Sequence, residues 1–491
     1  MNYLLGIDFG GGASKATLMD TEGRICAEAL GEYPTVHPTS DACEQLPADW
    51  LSALRRNCAA IFKKSGIRPG DILAVALDSA THSFVVCGED NAPLRPAIHW
   101  TDSRSRRQAA ALSDACGDEI FRKTYHKPDT IWTLPQLLWL REQEGAVFEK
   151  IRRLYFEKDY IREYLTGVFC TDYIEAEGSM LYDCTRQCWD AELCALCGIS
   201  PEVLPPIVAP TEVIGAVTPR AAAETGLQAG TPVICGTTDT VMEVFASGAV
   251  CRGNTTVKLA TAGRICVITD RACPDRHLVN YSHIVPGLWY PGTATKAAAA
   301  SYRWFRDIFH SDYATLDREA SAVAPGCEGM LFLPHINGEL TPYADPVLCG
   351  SFTGIRSTHT RGHFARAVLE GVSLSLLDCK RYLDGLGIVH DETAVLIGGG
   401  ARGDLWGQIT ADMLGMTLRT VESSDSSFGS AMLAGIALGV FSDAESAAAR
   451  CVRFDRSFTP NPENTAFYAK LYGQYKELHD ALAPIYQARS L

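Results

Sequence analysis

An acid closes the apolar run "YLLGIDF" at Asp8, and Gly10, Gly11 and Gly12 follow it, with Ser14 and Lys15 beyond. Backbone N–H groups of such a turn can converge on an anion, because no Cβ blocks close approach. Lys15 adds a point charge. A tight hairpin turn with positive φ angles accounts for the same glycines without any ligand. The spacing is not GxxxxGK[ST] and no helix follows, so neither the P-loop nor the dinucleotide fingerprint is present. Far downstream, "LIGGGARGDLW" ends a strand in Gly398, Gly399, Gly400 and Ala401 and opens a helix near Asp404. Strand, glycines and helix N-terminus together make a surface on which a flat ring or a phosphate can press. Three consecutive glycines exceed what a strand-to-helix turn needs, and their spacing is not the GxGxxG of a dehydrogenase.

Asp239, in "GTTDT", stands at a helix start. Asp at that position is a routine cap. It is also where a general base could take a proton from a hydroxyl attacking a phosphoryl group. With Asp8 holding a metal ion through water, the set becomes a base, a place for Mg²⁺ and donors for phosphates, the minimal machinery of phosphoryl transfer. A further group, His82, Trp100, Asp102 and Arg104, lies in "SATHS" and "HWTDSR". A Trp or His can lie against the carbon face of a sugar while Asp and Arg bond its hydroxyls; each is also an ordinary half-buried residue type.

The elements that must position these residues read as mixed α/β. "YLLGIDF" is a buried strand, and "KATLMDTEGRICAEAL" gives two more strands around a Glu-Gly turn. "PADWLSALRRNCAAIFKKSG" has helical spacing and stops at a glycine. "ILAVALDS" is another apolar strand, ending again near an acid, Asp78. The region 101–215 is mainly helical. "TPVICGTTDTVMEVFASGAV" then gives a strand, Gly236 and a helix from Asp239. After it, "TTVKLATAGRICVITD" echoes the opening hairpin, with Ala260 to Gly263 as its turn, which points to two related halves. Helices at "ATKAAAASYRWFRDIF" and from "HTRGHFARAV", the strand "TAVLIGGGA" and a terminal helix over 464–487, read as an appended surface element, complete the second half. The boundary is placed at 247/248.

The bulk composition bounds the function. The chain has 491 residues, 47% hydrophobic and 21% charged, with a formal net charge of −14. That balance, with no dense Lys/Arg block, disfavours nucleic-acid binding. The N-terminus lacks the basic lead of a secretory signal, and no stretch reaches the roughly 18 apolar residues of a membrane span. The 18 cysteines therefore read as reduced thiols in a cytoplasmic setting. Cys194 and Cys197 have CxxC spacing, with Cys184 and Cys188 nearby; the other spacings match no zinc pattern, and a helix using cysteine as a small core residue explains them.

Taken together, the motifs resemble those of the FGGY carbohydrate kinase family, most closely its xylulokinase-like branch. "GIDFGGGASKA" is similar to the family's first phosphate motif and "LATAG" to its second. "THS" and "LRPAIHWTDSR" are similar to its sugar-binding segments, "GTTDT" to its catalytic aspartate motif, and "EKDYIREYLTGVFCTDYIEAEGSMLYD", "LPHINGELTPYADP" and "LIGGGARGDLWGQITADMLG" to the rest, in the same order. The resemblance implies two ribonuclease-H-like domains of the actin-like, hexokinase superfamily type, 1–247 for sugar and 248–491 for nucleotide, with an interdomain cleft. It implies an ATP-dependent kinase acting on a terminal hydroxyl of a small ketose, a pentulose first. Asp239 becomes the base, Asp8 the magnesium-associated acid, and Gly10, Gly11, Gly12, Ser14, Lys15 and Thr261 phosphate neighbours. Gly399, Gly400, Ala401 and Asp404 would border adenosine; His82, Trp100 and Asp102 would bind sugar. A cytoplasmic homodimer is implied as well. Another ketose, a polyol, a pentulose-like signalling molecule, or a non-catalytic nucleotide sensor on the same fold are the alternatives. The chain departs from the family at Gly11, Gly12 and Ala13, where Thr or Ser hydroxyls are usual. It departs again at Ala260 and Ala262 of the second phosphate motif, at Ala80 and Thr81 before His82, and at Leu340.

Overall fold

The central strand Tyr3–Phe9 carries Leu4, Leu5, Ile7 and Phe9, all fully buried, as a strand covered on both faces requires. The computed structural model in which it lies describes residues 2–489 and divides the chain into two compact units. The first holds the chain up to Val250 with Tyr281–Gly287 and Ser423–Val452; the second holds Cys251–Asn280, Leu288–Glu422 and the chain from Arg453 on. A single cut at 247/248 does not describe this division, because two later segments group with the first unit.

In the first unit, Tyr3–Phe9 forms a hairpin with Ala13–Asp20, which pairs in turn with Ile25–Glu32. Helix Pro47–Ser65 ends at Gly66, whose φ of 67° gives the left-handed cap that glycine supplies. Ile72–Ser79 then returns parallel to Tyr3–Phe9. Strand Pro232–Ile234 and the short strand Thr237–Thr238 also run parallel to Ile72–Ser79. One face of the opening hairpin is covered by Pro47–Ser65, the other by helix Ser426–Ala437. The second contact is close: a Cβ on Gly6 would lie 1.9 Å from the carbonyl oxygen of Ser427.

In the second unit, five strands run in the order Gly263–Val267, Thr255–Leu259, Thr393–Ile397, Thr417–Val421, Phe454–Phe458. Thr255–Leu259 again pairs antiparallel with its hairpin partner and parallel with the strand that follows much later, Thr393–Ile397. The helix expected from "ATKAAAASYRWF" begins only at Ala299. Its first N–H groups are turned back to the hairpin: those of Ala298 and Ala299 donate to the carbonyls of Thr261 and Ala260 at 3.0 and 2.7 Å. The terminal helix Pro462–Arg489 is not a surface appendage. Tyr468, Leu471, Tyr472 and Tyr475 are buried in the core, an i, i+3, i+4, i+7 stripe. The Tyr468 hydroxyl donates to Glu370 at 2.8 Å.

Cys194 and Cys197 are fully buried on helix Ala191–Cys197. Among the described residues no group of three or more His, Cys, Asp or Glu side chains is disposed to hold a metal. None of the described helices is long and apolar enough to cross a membrane.

Candidate active site

The turn Gly10–Gly12 joins the first two strands without any positive φ, so its glycines are not there for backbone strain. Their carbonyls are occupied instead. Tyr33 Oη donates to Gly10 O at 2.5 Å, Thr35 Oγ1 to Gly11 O at 2.6 Å and the Tyr33 N–H to Gly12 O at 3.0 Å. The N–H groups of Gly11 and Gly12 make no hydrogen bond among the described residues and sit at an exposed tip. Turning carbonyls inward and amides outward is the arrangement an anion needs.

Strand alternation decides where Ser14 and Lys15 go. Ser14 is fully buried toward helix Pro47–Ser65, where its Oγ and its carbonyl both accept from Asn57 Nδ2 at 3.0 Å. Its hydroxyl therefore anchors the turn rather than facing its tip. Lys15, on the opposite face with Asp8 across from it, is paired with Glu28 at 2.8 Å and with Asp425. Its charge is already neutralised within the protein.

The register places Asp8 beside Asp78 on the parallel strand, and Thr237 beyond Asp78. Loss of solvation drives the Asp8 carboxyl well above the ordinary carboxylate range, reinforced by the negative charges of Asp78, Asp239 and Asp425. Burial pushes Asp78 up to about 7. Ser430 Oγ donates to Asp78 Oδ2 at 2.5 Å, while Asp8 Oδ1 and Asp78 Oδ1 are buried with no hydrogen-bond partner among the described residues. Adjacent carboxylates, each with a buried orphaned oxygen, fit a divalent cation in chemistry. Two are too few for a closed cage, so other ligands would have to complete the shell. Asp78 is an acid that sequence reasoning did not join to Asp8. Its signal was present, an acid ending an apolar strand just as Asp8 does, but the parallel register that joins the two is not local information.

Asp239 opens helix Asp239–Ala246 and is half-buried. Its Oδ1 accepts from the Thr240 N–H at 2.6 Å and from Thr81 Oγ1 at 3.4 Å. Thr81 precedes His82, so Asp239 and His82 are tied together. His82 is buried at a positive φ of 52°, its N–H donating to Glu175 Oε1 at 2.6 Å and its ring against Trp132 at 4.9 Å. Burial, then the neighbouring His126 and His99, lower its pKa to about 3, which keeps the ring neutral. Trp100 is 38% exposed. Asp102 is buried; its Oδ2 accepts from the Cys43 N–H at 2.8 Å and from Arg104. Beneath these residues, fully buried Lys158 contacts Asp159, Asp172 and Glu175 at 2.7, 2.9 and 3.7 Å. Glu175 holds His82, and Asp172 accepts from Thr237 Oγ1 at 2.7 Å. One cation thus fixes both the His82 segment and the approach to Asp239.

In the second unit a cavity of about 630 Å³ is lined by Thr261, Tyr302, Asp317, Gly399, Gly400 and Trp406 among others. A Cβ on Gly399 would meet nothing within 4 Å, whereas one on Gly400 would lie 2.8 Å from Leu259 Cβ and 2.9 Å from Trp406 Cζ3. Gly399 opens the surface and Gly400 permits the packing beneath it. Ala401 is buried, its carbonyl accepting from Arg456 at 2.9 Å. Asp404 is paired with Arg456 at 2.8 Å, its side chain 80% exposed, and neither residue lines the cavity. Thr261 and Gly399–Gly400 come together; Ala401 and Asp404 stand outside.

Compared with known proteins, the chain matches the FGGY family of carbohydrate kinases twice, its N-terminal domain over residues 3–246 and its C-terminal domain over 233–438. A xylulose kinase of Bacillus subtilis (strain 168) is 32% identical, over 98% of this chain and 97% of that protein. Among solved structures, the xylulose kinase from Rhodospirillum rubrum has a TM-score of 0.91 at 29% identity, covering 99% of this chain and 100% of the other. A gluconate kinase from Lactobacillus acidophilus has a TM-score of 0.93 at 26% identity, covering 100% of both.

Proposed function

The chain belongs to the FGGY family of carbohydrate kinases and is an ATP-dependent sugar kinase, and on that premise we propose that it phosphorylates a terminal hydroxyl of a pentulose of the xylulose type. The observation that carries the reading is the half-buried Asp239 at its helix start, linked through Thr81 to His82. Asp239 takes the proton from the acceptor hydroxyl as its oxygen bonds the γ-phosphorus, and ADP leaves with the electrons of the broken bond. The exposed Trp100 offers its ring to a carbon surface of the sugar, and neutral His82 serves the same acceptor. Asp102 serves the same site by fixing Arg104 and the Trp100 loop.

In the first unit the N–H groups of Gly11 and Gly12 are proposed to receive phosphate; in the second unit the same part is proposed for the Thr261 hydroxyl within its own cavity. Gly399, Gly400, Tyr302 and Trp406 receive adenosine. Lys15 acts on the site through Asp425, and Ser14 through Asn57, each holding the turn rather than a ligand. Asp8 and Asp78 would hold Mg²⁺; bound with ATP, it lowers the repulsion among phosphate oxygens and carboxylates. A cytoplasmic homodimer is the proposed form, and sedimentation velocity tests the stoichiometry.

The acceptor is tested by coupled ADP release with D-xylulose, L-xylulose, D-ribulose, gluconate and glycerol. The highest kcat/KM is expected with D-xylulose, and preference for gluconate contradicts the assignment. Stripping divalent cations with EDTA should stop turnover, and added Mg²⁺ should restore it.

A further inference from the structure

His99 follows the two-residue strand Ala97–Ile98 and is 4% exposed, yet its Nε2 is buried with no hydrogen-bond partner among the described residues. An orphaned buried donor costs about 1–3 kcal/mol, so folded proteins seldom keep one without a use. Its tautomer follows from its neighbours. Nδ1 lies 2.8 Å from the Thr101 hydroxyl and 3.6 Å from Cys43 Sγ, either of which can donate to it, and the Thr101 N–H, which can only donate, points at it at 3.3 Å; that set makes Nδ1 the acceptor and puts the proton on Nε2. The backbone around it is held from both sides: the His99 N–H donates to Cys43 O at 3.0 Å and its carbonyl accepts from the Asp102 N–H at 2.9 Å. The ring edge faces the opening turn. A Cβ on Gly11 would lie 3.6 Å from Nε2 and 3.7 Å from Cε1.

We infer that His99 is a catalytic residue whose Nε2–H donates to the terminal phosphoryl group while the amides of the Gly10–Gly12 turn hold it. This deepens the kinase reading above and rests on it. It also resolves a shortage at the turn. The hydroxyls expected there are replaced by Gly11, Gly12 and Ala13, Ser14 faces the core, and Lys15 is neutralised by Glu28 and Asp425. His99 supplies a side-chain donor from another segment of the same unit. Burial, then the nearby charge of His37, lowers its pKa to about 4, so at neutral pH it is an uncharged donor that neither exchanges protons with the base nor repels a cation at Asp8.

The test compares wild type, His99→Leu and His99→Gln by calorimetry with ADP and with the magnesium complex of AMP-PNP. His99→Leu should weaken AMP-PNP about tenfold, the value of one hydrogen bond to a charged group, and leave ADP unchanged. His99→Gln, which keeps an N–H donor, should recover most of the loss. In turnover, His99→Leu should lower kcat about a hundredfold with KM for the acceptor unchanged. An AMP-PNP to ADP affinity ratio equal to that of wild type overturns the inference, as does a kcat equal to that of wild type. Should His99→Leu not fold, His99→Phe keeps the ring volume without the donor and reads the same ratio. The binding ratio needs no acceptor. A wild type that releases ADP with no ketose would therefore count against the acceptor assignment while the role of His99 is still read.

Discussion

In the first unit, strand Tyr3–Phe9 and the parallel Ile72–Ser79 finish side by side in carboxylates, Asp8 next to Asp78. In the second, Thr255–Leu259 and the parallel Thr393–Ile397 run in the same relation, but Lys258 lies next to Ile397 and the chain continues into Gly398, Gly399 and Gly400. Each first strand leaves through a small-residue turn, Gly10–Gly12 in one case and Ala260–Ala262 in the other. The backbone plan is shared; the residue types at the strand ends differ. One unit gathers charge, with Asp78, Asp239 and Asp425 all acting on Asp8. The other gathers bare backbone and rings around a cavity. The fold offers the same small-residue turn twice, and the side chains beside it differ: carboxylates in one unit, glycines and rings in the other.

If the difference is charge against shape, the two units should break in different ways. The largest effect is expected from Lys158→Met, which leaves Asp159, Asp172 and Glu175 buried without their cation. Losing one partner of a buried ion pair costs about 3–5 kcal/mol, and urea unfolding followed by circular dichroism should show a loss of that size. In the second unit the corresponding damage is steric. Gly400→Ala places a Cβ within 2.9 Å of Leu259 and Trp406; it should cost about 1–3 kcal/mol. It should also weaken ATP by calorimetry with little change in KM for the ketose. Equal loss of both ligands would blur the comparison.

The smallest effect is a pH slope. Burial pushes the Glu177 carboxyl up to about 8, although the Ser282 N–H and hydroxyl donate to it at 2.8 and 2.6 Å. A carboxyl whose folded pKa is raised holds its proton more tightly when folded. Its contribution is complete below about 4.3, the value of an unperturbed Glu, and is lost as pH rises through about 8. Glu177→Gln should therefore flatten the fall in Tm between pH 5 and 8. An unchanged slope would remove Glu177 from the charged character of the first unit.

Much of this arrangement was legible in the sequence, for physical reasons. Apolar runs closed by acids or glycines mark strand ends, so both hairpins, the helix start at Asp239 and the triple glycine could be read locally. What stayed hidden depends on contacts between distant segments. Asp78 joins Asp8 only through parallel pairing. Lys15 reads as a phosphate ligand until Asp425, on the far end of the chain, neutralises it. Ser14 reads as a donor until strand alternation turns it toward Asn57. Asp404, at a helix start, reads as part of a nucleotide site, yet its carboxylate turns outward to Arg456. His99 stands between an apolar residue and Trp100, where nothing local separates it from any half-buried histidine. The Tyr and Leu stripe of the terminal helix was visible, but not the core groove that receives it.

The division of labour itself is tested most directly by Asp239→Ala. Ketose-dependent ADP release and ADP affinity are measured on the same preparation, by coupled assay and by calorimetry. Turnover should fall at least about a hundredfold, the contribution of a positioned base, while ADP binding in the second unit stays at the wild-type value. Retained turnover, or loss of ADP binding together with it, would contradict the account.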